Sequence, residues 1–179
     1  GMLRVDTLED LFDAAQTLAR EPGWRGPRLA VLTNGGGAGV LAADTLGGGE
    51  LATLSPATLA QLDTCLPATW SRGNPVDIIG DANGGRYAAA IEAVAADPGV
   101  GAILVMNAAT ALAAPEDAAA AVAGTPAAEK FPLIACWMGG RGAEAGRRVF
   151  ERAGIPAYDT PLRGVRAFQH LVEYRKSQE

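Results

Sequence analysis

Three short, almost wholly apolar segments, each followed by a turn and a helical pattern, constrain the fold of this chain most strongly. They are Leu29–Thr33, Ala102–Met106 and Leu133–Trp137. Polar residues do not alternate along them, so both faces of each strand must be buried. This is typical of parallel strands that are covered by helices on both sides. Shorter strands are predicted at Leu51–Leu54 and Ile155–Tyr158, and Val76–Ile79 is a further short candidate.

The alternation of strands and helices predicts an α/β fold. We expect a flavodoxin-like, doubly wound parallel sheet of about five strands in the order 2-1-3-4-5, with helices on both faces. A chain of 179 residues that is 49% hydrophobic suits one compact domain. Residues 1–26 are assigned to an N-terminal helix and linker, and residues 27–179 to the flavodoxin-like domain.

Two of the predicted helices have distinctive sequence patterns. Thr7 and Asp10 form a capping-box pattern at the start of an amphipathic helix. Its apolar residues repeat at helical spacing: Leu8, Leu11, Phe12, Ala15, Leu18 and Ala19. One alanine-rich helix is predicted over Pro115–Ala128.

Charge and cysteine usage exclude several classes of protein. The net charge is −5 with no basic stripe, so we expect no nucleic acid partner. Cys65 and Cys136 are far apart, and His170 is the only histidine, which predicts neither a zinc site nor a disulfide framework and favours a reducing cytoplasm. No apolar segment has the length of a membrane span, so we expect no membrane association.

The segment LAVLTNGGGAGVLAA, residues 29–43, places three consecutive glycines between a strand and a helix. Backbone N–H groups at such a turn combine with the positive end of the helix dipole to hold an anion without a cationic side chain. Three glycines exceed what a turn alone needs. The predicted phosphate-binding residues are Asn34, Gly35, Gly36, Gly37, Ala38 and Gly39.

Other interpretations of this turn stay open or are disfavoured. Glycines also let a chain turn sharply and let a helix pack close to a sheet. The spacing of Gly37, Gly39 and Ala42 matches a dinucleotide-binding fingerprint, but the second strand lacks the acidic residue that would hold the ribose. No Lys-Ser/Thr pair follows the glycines, so the turn is not a P-loop.

A second glycine-containing loop, GNPVDIIGD, follows at residues 73–81. It belongs to the same predicted edge of the sheet and supplies the candidate substrate-binding residues Gly73, Asn74, Pro75, Asp77, Gly80 and Asp81. A purely structural role for Asn74 and Asp77, within the loop itself, is an equal alternative. Arg141 and Asn107 also follow strands directly.

No catalytic residue is predicted within the chain. His170 falls in a helical pattern, where we expect it to be a surface or packing residue. No Ser/His/Asp arrangement and no G-x-S-x-G elbow is found. The sequence therefore predicts anion-binding loops without an acid, a base or a nucleophile.

The chain resembles the NDP-forming acyl-CoA synthetases of the succinyl-CoA ligase superfamily, specifically their second flavodoxin-like ligase-CoA domain. The resemblance covers most of the chain and rests on these segments: RVDTLEDLF at 4–12, LAVLTNGGGAGVLAAD at 29–44, GNPVDIIGDA at 73–82, Met138–Gly140 and Gly154–Tyr158. It implies an acid–CoA ligase, ADP- or GDP-forming, of which this chain is one part that is inactive alone.

By this resemblance, the helix that starts at Gly37–Gly39 points its N-terminus at a phosphohistidine carried on another domain. The loop from Gly73 to Asp81 faces the same junction. The implied partners are CoA-binding, phosphohistidine and ATP-grasp domains of the same protein, with a small acid or acyl-CoA as substrate. CoA, ATP or ADP and Mg²⁺ are expected only in the full-length enzyme, and no covalent cofactor is expected.

Related domains also occur fused to a GNAT-type acetyltransferase. The resemblance implies that this chain is an internal piece of one kind of protein or the other. In such a fusion the synthetase-like part has a regulatory role. A ligand-sensing or interaction module is therefore the alternative to a phosphoryl-transfer domain.

Overall fold

The computed structural model describes residues 1–20, 23–46 and 49–178, and these form a parallel sheet between layers of helices. Its strands are β1 Arg28–Thr33, β2 Glu50–Leu51, β3 Val76–Asp77, β4 Ala102–Ala108, β5 Leu133–Met138 and β6 Ala157–Tyr158. Its helices are α1 Leu8–Leu18, α2 Gly36–Leu46, α3 Pro56–Cys65, α4 Gly84–Ala95, α5 Pro115–Ala123, α6 Pro126–Lys130, α7 Arg141–Ala153 and α8 Pro161–Lys176. Residues 21 and 22 of the predicted linker lie outside the described residues.

The strands run parallel in the order β2-β1-β4-β5-β6, and β3 also pairs with β1. β2 pairs with β1 at Arg28 and Leu29, whereas β3 pairs with it at Leu32 and Thr33. Because β4 occupies the other edge of β1, both short strands share one edge. They form an interrupted edge strand, which reconciles six observed strands with the predicted order 2-1-3-4-5.

Helices cover both faces of the sheet, as predicted for a doubly wound domain. Along β4, Ile103 and Val105 belong to one buried cluster, and Leu104 and Met106 to the other. The first cluster includes residues of α3, α4, α5 and α7, and the second includes residues of α2 and α8. Each central strand is therefore buried on two sides, which explains its uninterrupted apolar sequence.

Four predicted elements are shorter than expected. The candidate strand Val76–Ile79 ends at Asp77, and the strand predicted over Ile155–Tyr158 begins at Ala157. The predicted helix over Pro115–Ala128 is broken into α5 and α6, because Pro126 has no N–H and cannot continue a helix, while Thr125 caps a new one. The predicted strand Leu51–Leu54 ends at Leu51. The next carbonyl, that of Ala52, accepts a hydrogen bond from a side chain and not from a strand.

Helix α1 begins as predicted, since the Asp10 N–H donates to Thr7 Oγ1 at 3.0 Å. Its orientation reverses the usual one. Leu8 and Phe12 are 69% and 66% exposed, whereas Asp10 and Asp13 are buried. Apart from Leu18, which packs against the buried cluster beside α8, the apolar stripe of α1 faces away from the domain, and its acidic face lies against α8.

The sequence of α8 explains why the acidic face of α1 packs on the domain. Arg163 makes two hydrogen bonds to Asp13, at 2.9 and 2.8 Å, and Arg166 pairs with Asp10 at 3.2 Å. Thr17 and the Tyr158 hydroxyl lie 2.6 Å apart in the same interface. The cations and polar groups of α8 and β6 thus select the acidic face of α1.

Across the described ranges, no helix is both long and apolar enough to span a membrane.

Candidate functional site

The two glycine loops meet at the carboxyl edge of the sheet. β1 ends at Thr33 and β3 ends at Asp77, and these residues are register partners. Each strand therefore delivers its loop to the same place, where ligands of open parallel sheets bind.

The backbone amides of the first loop fall into two groups. The Gly35 N–H donates to Thr33 Oγ1 at 3.1 Å, and the amides of Ala38 and Gly39 donate to the Gly35 carbonyl at 3.0 and 3.2 Å. The amides of Gly36 and Gly37 make no hydrogen bond with any described residue, and both residues are exposed. Of the five amides from Gly35 to Gly39, this pair, at the first turn of α2, is available to a ligand.

Packing explains why two of the other glycines are glycines. A Cβ on Gly39 would lie 3.1 Å from side-chain atoms of both Pro75 and Thr33, and one on Gly35 would lie 3.2 Å from the Ala108 Cβ. Gly37 differs, because a Cβ there would meet nothing within 4 Å. Gly35 and Gly39 thus allow the loop and α2 to approach their neighbours closely.

A carboxylate lies beside the available amides. Asp77 Oδ2 is 2.9 Å from the position that a Cβ on Gly36 would take, so only glycine fits there without a shift of the carboxylate. The other oxygen, Oδ1, accepts a hydrogen bond from the Ile79 N–H at 2.9 Å. The second loop therefore brings a negative charge to the N-terminus of α2.

Asn34 is used within the protein. Its Nδ2 donates to the Ala108 carbonyl at 3.0 Å, and its Oδ1 accepts from the Ala108 N–H at 2.8 Å. The residue is buried. Its side chain joins the ends of β1 and β4 and holds the first loop in place.

Asn74 is similarly engaged. Its amide bonds the backbone of Val31, Leu29 and Ala52 at 2.8 to 2.9 Å, which uses both of its N–H donors. Gly73, next to it, accepts a hydrogen bond from Ser71 Oγ at its carbonyl. This part of the second loop completes the sheet edge and offers no free amide donor from Asn74.

The end of the second loop is fixed by Arg86 on α4. Its guanidinium donates to the Ile78 carbonyl at 3.0 Å and to the carboxylate of Asp81. This hydrogen bond lowers the pKa of Asp81. The Gly80 carbonyl accepts from Thr110 Oγ1 at 3.1 Å, which links the loop after β3 to the loop after β4.

Asn107, which the sequence places directly after a strand but not among the predicted binding residues, is a buried polar group inside β4. Asn107 Nδ2 donates to the Tyr87 hydroxyl, which donates to the Met106 carbonyl, both at 3.0 Å. Burial raises the pKa of Tyr87, so its hydroxyl keeps its proton. Asn107 Oδ1 is buried without a partner. The signal in the sequence was one polar residue inside an apolar strand.

The remaining polar candidates lie apart from this edge or point to solvent. His170 is buried on α8, and Arg141 is exposed at the start of α7. Among the described residues, no group of three His, Cys, Asp or Glu side chains is placed to hold a metal ion.

Comparison with known families decides the membership of the chain. The profile of the Ligase-CoA domain matches residues 29–161, which include both glycine loops and five complete strands of the sheet. The chain belongs to the Ligase-CoA domain family. The family resemblance expected from the two glycine motifs is thereby confirmed.

Relatives of this Ligase-CoA domain are ADP-forming ligases. The chain is 35% identical over 178 residues to acetate–CoA ligase [ADP-forming] I of Archaeoglobus fulgidus, covering 98% of this chain and 25% of that protein. It is 33% identical to the alpha subunit of acetate–CoA ligase [ADP-forming] I of Pyrococcus furiosus, covering 98% of this chain and 39% of that subunit.

A solved structure of a related synthetase has the same fold as this chain. The apo form of the dinucleotide forming acetyl-coenzyme A synthetase 1 of Ca. Korarchaeum cryptofilum superposes with a TM-score of 0.91 at 30% identity, covering 97% of this chain and 39% of that chain. The Ligase-CoA domain thus spans a quarter to two fifths of these relatives, and it resembles one domain of a larger enzyme.

Proposed function

We propose that this chain is the domain of an NDP-forming acyl-CoA synthetase that holds a phosphoryl group at the N-terminus of α2 while the group passes through a phosphohistidine on another domain. The overall reaction converts an acid, CoA and a nucleoside triphosphate into acyl-CoA, nucleoside diphosphate and phosphate. Acetate is the acid named in several relatives.

The observation that carries the proposal is the pair of exposed, unpartnered amides of Gly36 and Gly37. Both belong to the first turn of α2, where unsatisfied N–H groups and the helix dipole favour negative charge. A phosphoryl group on a partner domain is the anion that a synthetase of this family needs to stabilise. Exposure of both residues leaves room for that domain.

The rest of the carboxyl edge shapes this site. Asn34 and Asn74 fix the two loops through backbone hydrogen bonds, and Gly39 lets α2 pack against Pro75. Gly80 accepts a hydrogen bond from Thr110 and so lies beside the loop after β4, where we place the acyl end of the substrate.

The other components of the reaction are assigned to other modules. CoA, the nucleotide with Mg²⁺ and the histidine nucleophile would be supplied by CoA-binding, ATP-grasp and phosphohistidine domains. The length of the relatives beyond this chain supports such a division. The described residues of this chain contribute binding and electrostatic stabilisation, and its sole histidine is buried away from the edge.

A matched pair of variants in the synthetase that contains this chain tests the proposal. Gly37→Pro removes one amide at a position of the helix where proline is tolerated, and Gly37→Ala keeps the amide. Phosphohistidine is measured after incubation with acyl-CoA and labelled phosphate. We expect at least about a tenfold loss for the proline variant only, since a hydrogen bond to a charged group contributes about 1.5–3 kcal/mol.

Two other outcomes would contradict the proposal. Equal labelling of the proline and alanine variants would show that this amide holds no phosphoryl group. An absence of labelling in the unmodified synthetase would favour the regulatory, ligand-sensing module. Circular dichroism of each variant checks that the fold is retained.

A further inference from the structure

We infer that Asp77 provides a fixed negative charge beside the first turn of α2. Its carboxylate faces that turn and weakens the binding of a phosphoryl group there. The group is therefore passed on and not trapped. This inference rests on the proposed function of the Gly36 and Gly37 amides. It assigns Asp77 a role in release, and not in substrate binding.

The position of the carboxylate is the first step. Asp77 Oδ2 lies 2.9 Å from where a Cβ on Gly36 would stand, and it makes no hydrogen bond within the described parts of the chain. The other oxygen, Oδ1, is held by the Ile79 N–H at 2.9 Å. The Asp77 N–H in turn donates to Ser71 Oγ at 2.9 Å. One oxygen fixes the side chain, and the other is left facing α2.

The second step concerns the charge. No ion pair of the described residues includes Asp77, and the nearby Arg86 is engaged by Asp81 and by the Ile78 carbonyl. The charge of Asp77 is therefore not neutralised by a cation. A carboxylate at a helix N-terminus interacts favourably with the dipole, so Asp77 stabilises the turn while no ligand is present.

The third step is competition. A phosphoryl group bound by the Gly36 and Gly37 amides would bring a second negative charge to within a few ångströms of Asp77. Two unit charges about 4 Å apart repel each other by about 1 kcal/mol even in bulk water. Asp77 thus offsets part of the attraction of the amides. An intermediate site benefits from this, because a group held too tightly would not proceed to the nucleotide.

The experiment uses the complete synthetase with Asp77→Asn. Asparagine keeps an oxygen for the Ile79 N–H and removes the charge. The concentration of inorganic phosphate that gives half-maximal histidine labelling from acyl-CoA is compared with that of the unmodified enzyme. We expect it to fall roughly fivefold, which corresponds to about 1 kcal/mol. Transfer of the label to ADP should become slower.

Asp44→Asn is the matched control, since it removes an exposed charge from the same helix about 12 Å further along its axis, beyond the Debye length at 0.1 M salt. It should leave phosphate half-saturation unchanged. Asp77→Ser, whose hydroxyl also accepts a hydrogen bond from an amide two residues on, should repeat the effect of Asp77→Asn if asparagine perturbs folding.

Half-saturation that is unchanged or raised in Asp77→Asn overturns the inference. If Gly37→Pro nevertheless abolishes labelling, only the role of Asp77 is wrong. If neither variant changes labelling, the amide site itself is wrong, and the proposed function fails with it.

Discussion

Asn74 and Val31 are joined by a hydrogen bond of 2.9 Å, in which the Val31 backbone N–H donates to Asn74 Oδ1. Nδ2 of the same amide donates to the carbonyls of Leu29 and Ala52, at 2.8 and 2.9 Å. A single side chain thus takes the place of the strand residues that are missing between β2 and β3. It completes the edge of β1 just below the glycine turn.

Replacing Asn74 by alanine should destabilise the protein by about 3 kcal/mol. The substitution leaves the buried Val31 N–H without a partner and removes two further hydrogen bonds, and each unsatisfied buried group costs about 1–3 kcal/mol. Urea unfolding of the 179-residue chain, followed by circular dichroism, measures the change in the free energy of unfolding.

Asn83→Ala is the control for this experiment. Asn83 is exposed and caps α4, because its side-chain Oδ1 accepts a hydrogen bond from the Arg86 backbone N–H. Loss of such a cap costs about 1 kcal/mol. Equal destabilisation by the two substitutions would show that Asn74 is not essential to the sheet edge.

The fold could be predicted because the burial of the central strands leaves a direct trace in the sequence. A strand covered on both faces is almost wholly apolar, and the buried parts of β1, β4 and β5 are, apart from Thr33 and Asn107 at the strand ends. β4 extends two residues beyond its predicted end at Met106, because Asn107 and Ala108 still pair with β5. A buried asparagine hydrogen-bonded to Tyr87 cannot be distinguished from a loop asparagine by residue type alone.

The site could be predicted only in outline. Three glycines and a helix start indicate an anion-binding turn, but the sequence does not reveal which amides remain free. That depends on groups far along the chain: Pro75 packs against Gly39, the Asp77 carboxylate approaches Gly36, and Ala108 lies against Gly35. Likewise, the sequence does not decide whether Asn74 contacts a ligand or has a structural role. Its backbone partners are set by the pairing of strands, and one of them lies more than twenty residues away.

The reversed orientation of α1 predicts an unusual mutational pattern. Asp13→Ala should destabilise the chain by about 2 kcal/mol, because it leaves Arg163 partly buried without its bidentate partner. Phe12→Ser should change stability by less than about 0.5 kcal/mol, since Phe12 is 66% exposed. Urea unfolding of both variants at pH 7 tests the contrast. The opposite ranking would mean that the apolar stripe of α1 packs on the domain.

The glycines of α2 should differ in their tolerance of alanine. Gly37→Ala introduces no contact and should be neutral or slightly stabilising, by up to about 0.5 kcal/mol, because alanine favours the helix. Gly39→Ala places a methyl 3.1 Å from both Pro75 and Thr33, and we expect a loss of about 1–3 kcal/mol from overpacking. Thermal unfolding monitored at 222 nm compares the two variants directly. A Gly39 variant as stable as the wild type would show that α2 does not approach the second loop so closely.

The single histidine predicts a component of the pH dependence of stability. Burial lowers the pKa of His170, against the attraction of Asp10, Glu173 and Asp13, and Arg166 lowers it further. Its Nδ1 is buried without a partner. The folded protein therefore binds a proton less readily than the unfolded chain, whose histidine titrates near pH 6.5. The contribution of the uncharged His170 to the free energy of unfolding is complete above pH 6.5. It is lost as the pH falls towards the folded pKa, at up to about 1.4 kcal/mol per pH unit.

The titration of His170 can be followed by one ring resonance in NMR, because the chain contains one histidine. We expect a midpoint below 6.5 in the folded protein. In His170→Gln, the free energy of unfolding should fall less between pH 7 and pH 5 than in the unmodified protein. The fall at lower pH, which comes from the carboxylates, should remain. A folded-state midpoint at 6.5 would remove the effect, and one above 6.5 would reverse its sign, since acid would then stabilise the contact between α1 and α8 through Asp10 and Asp13.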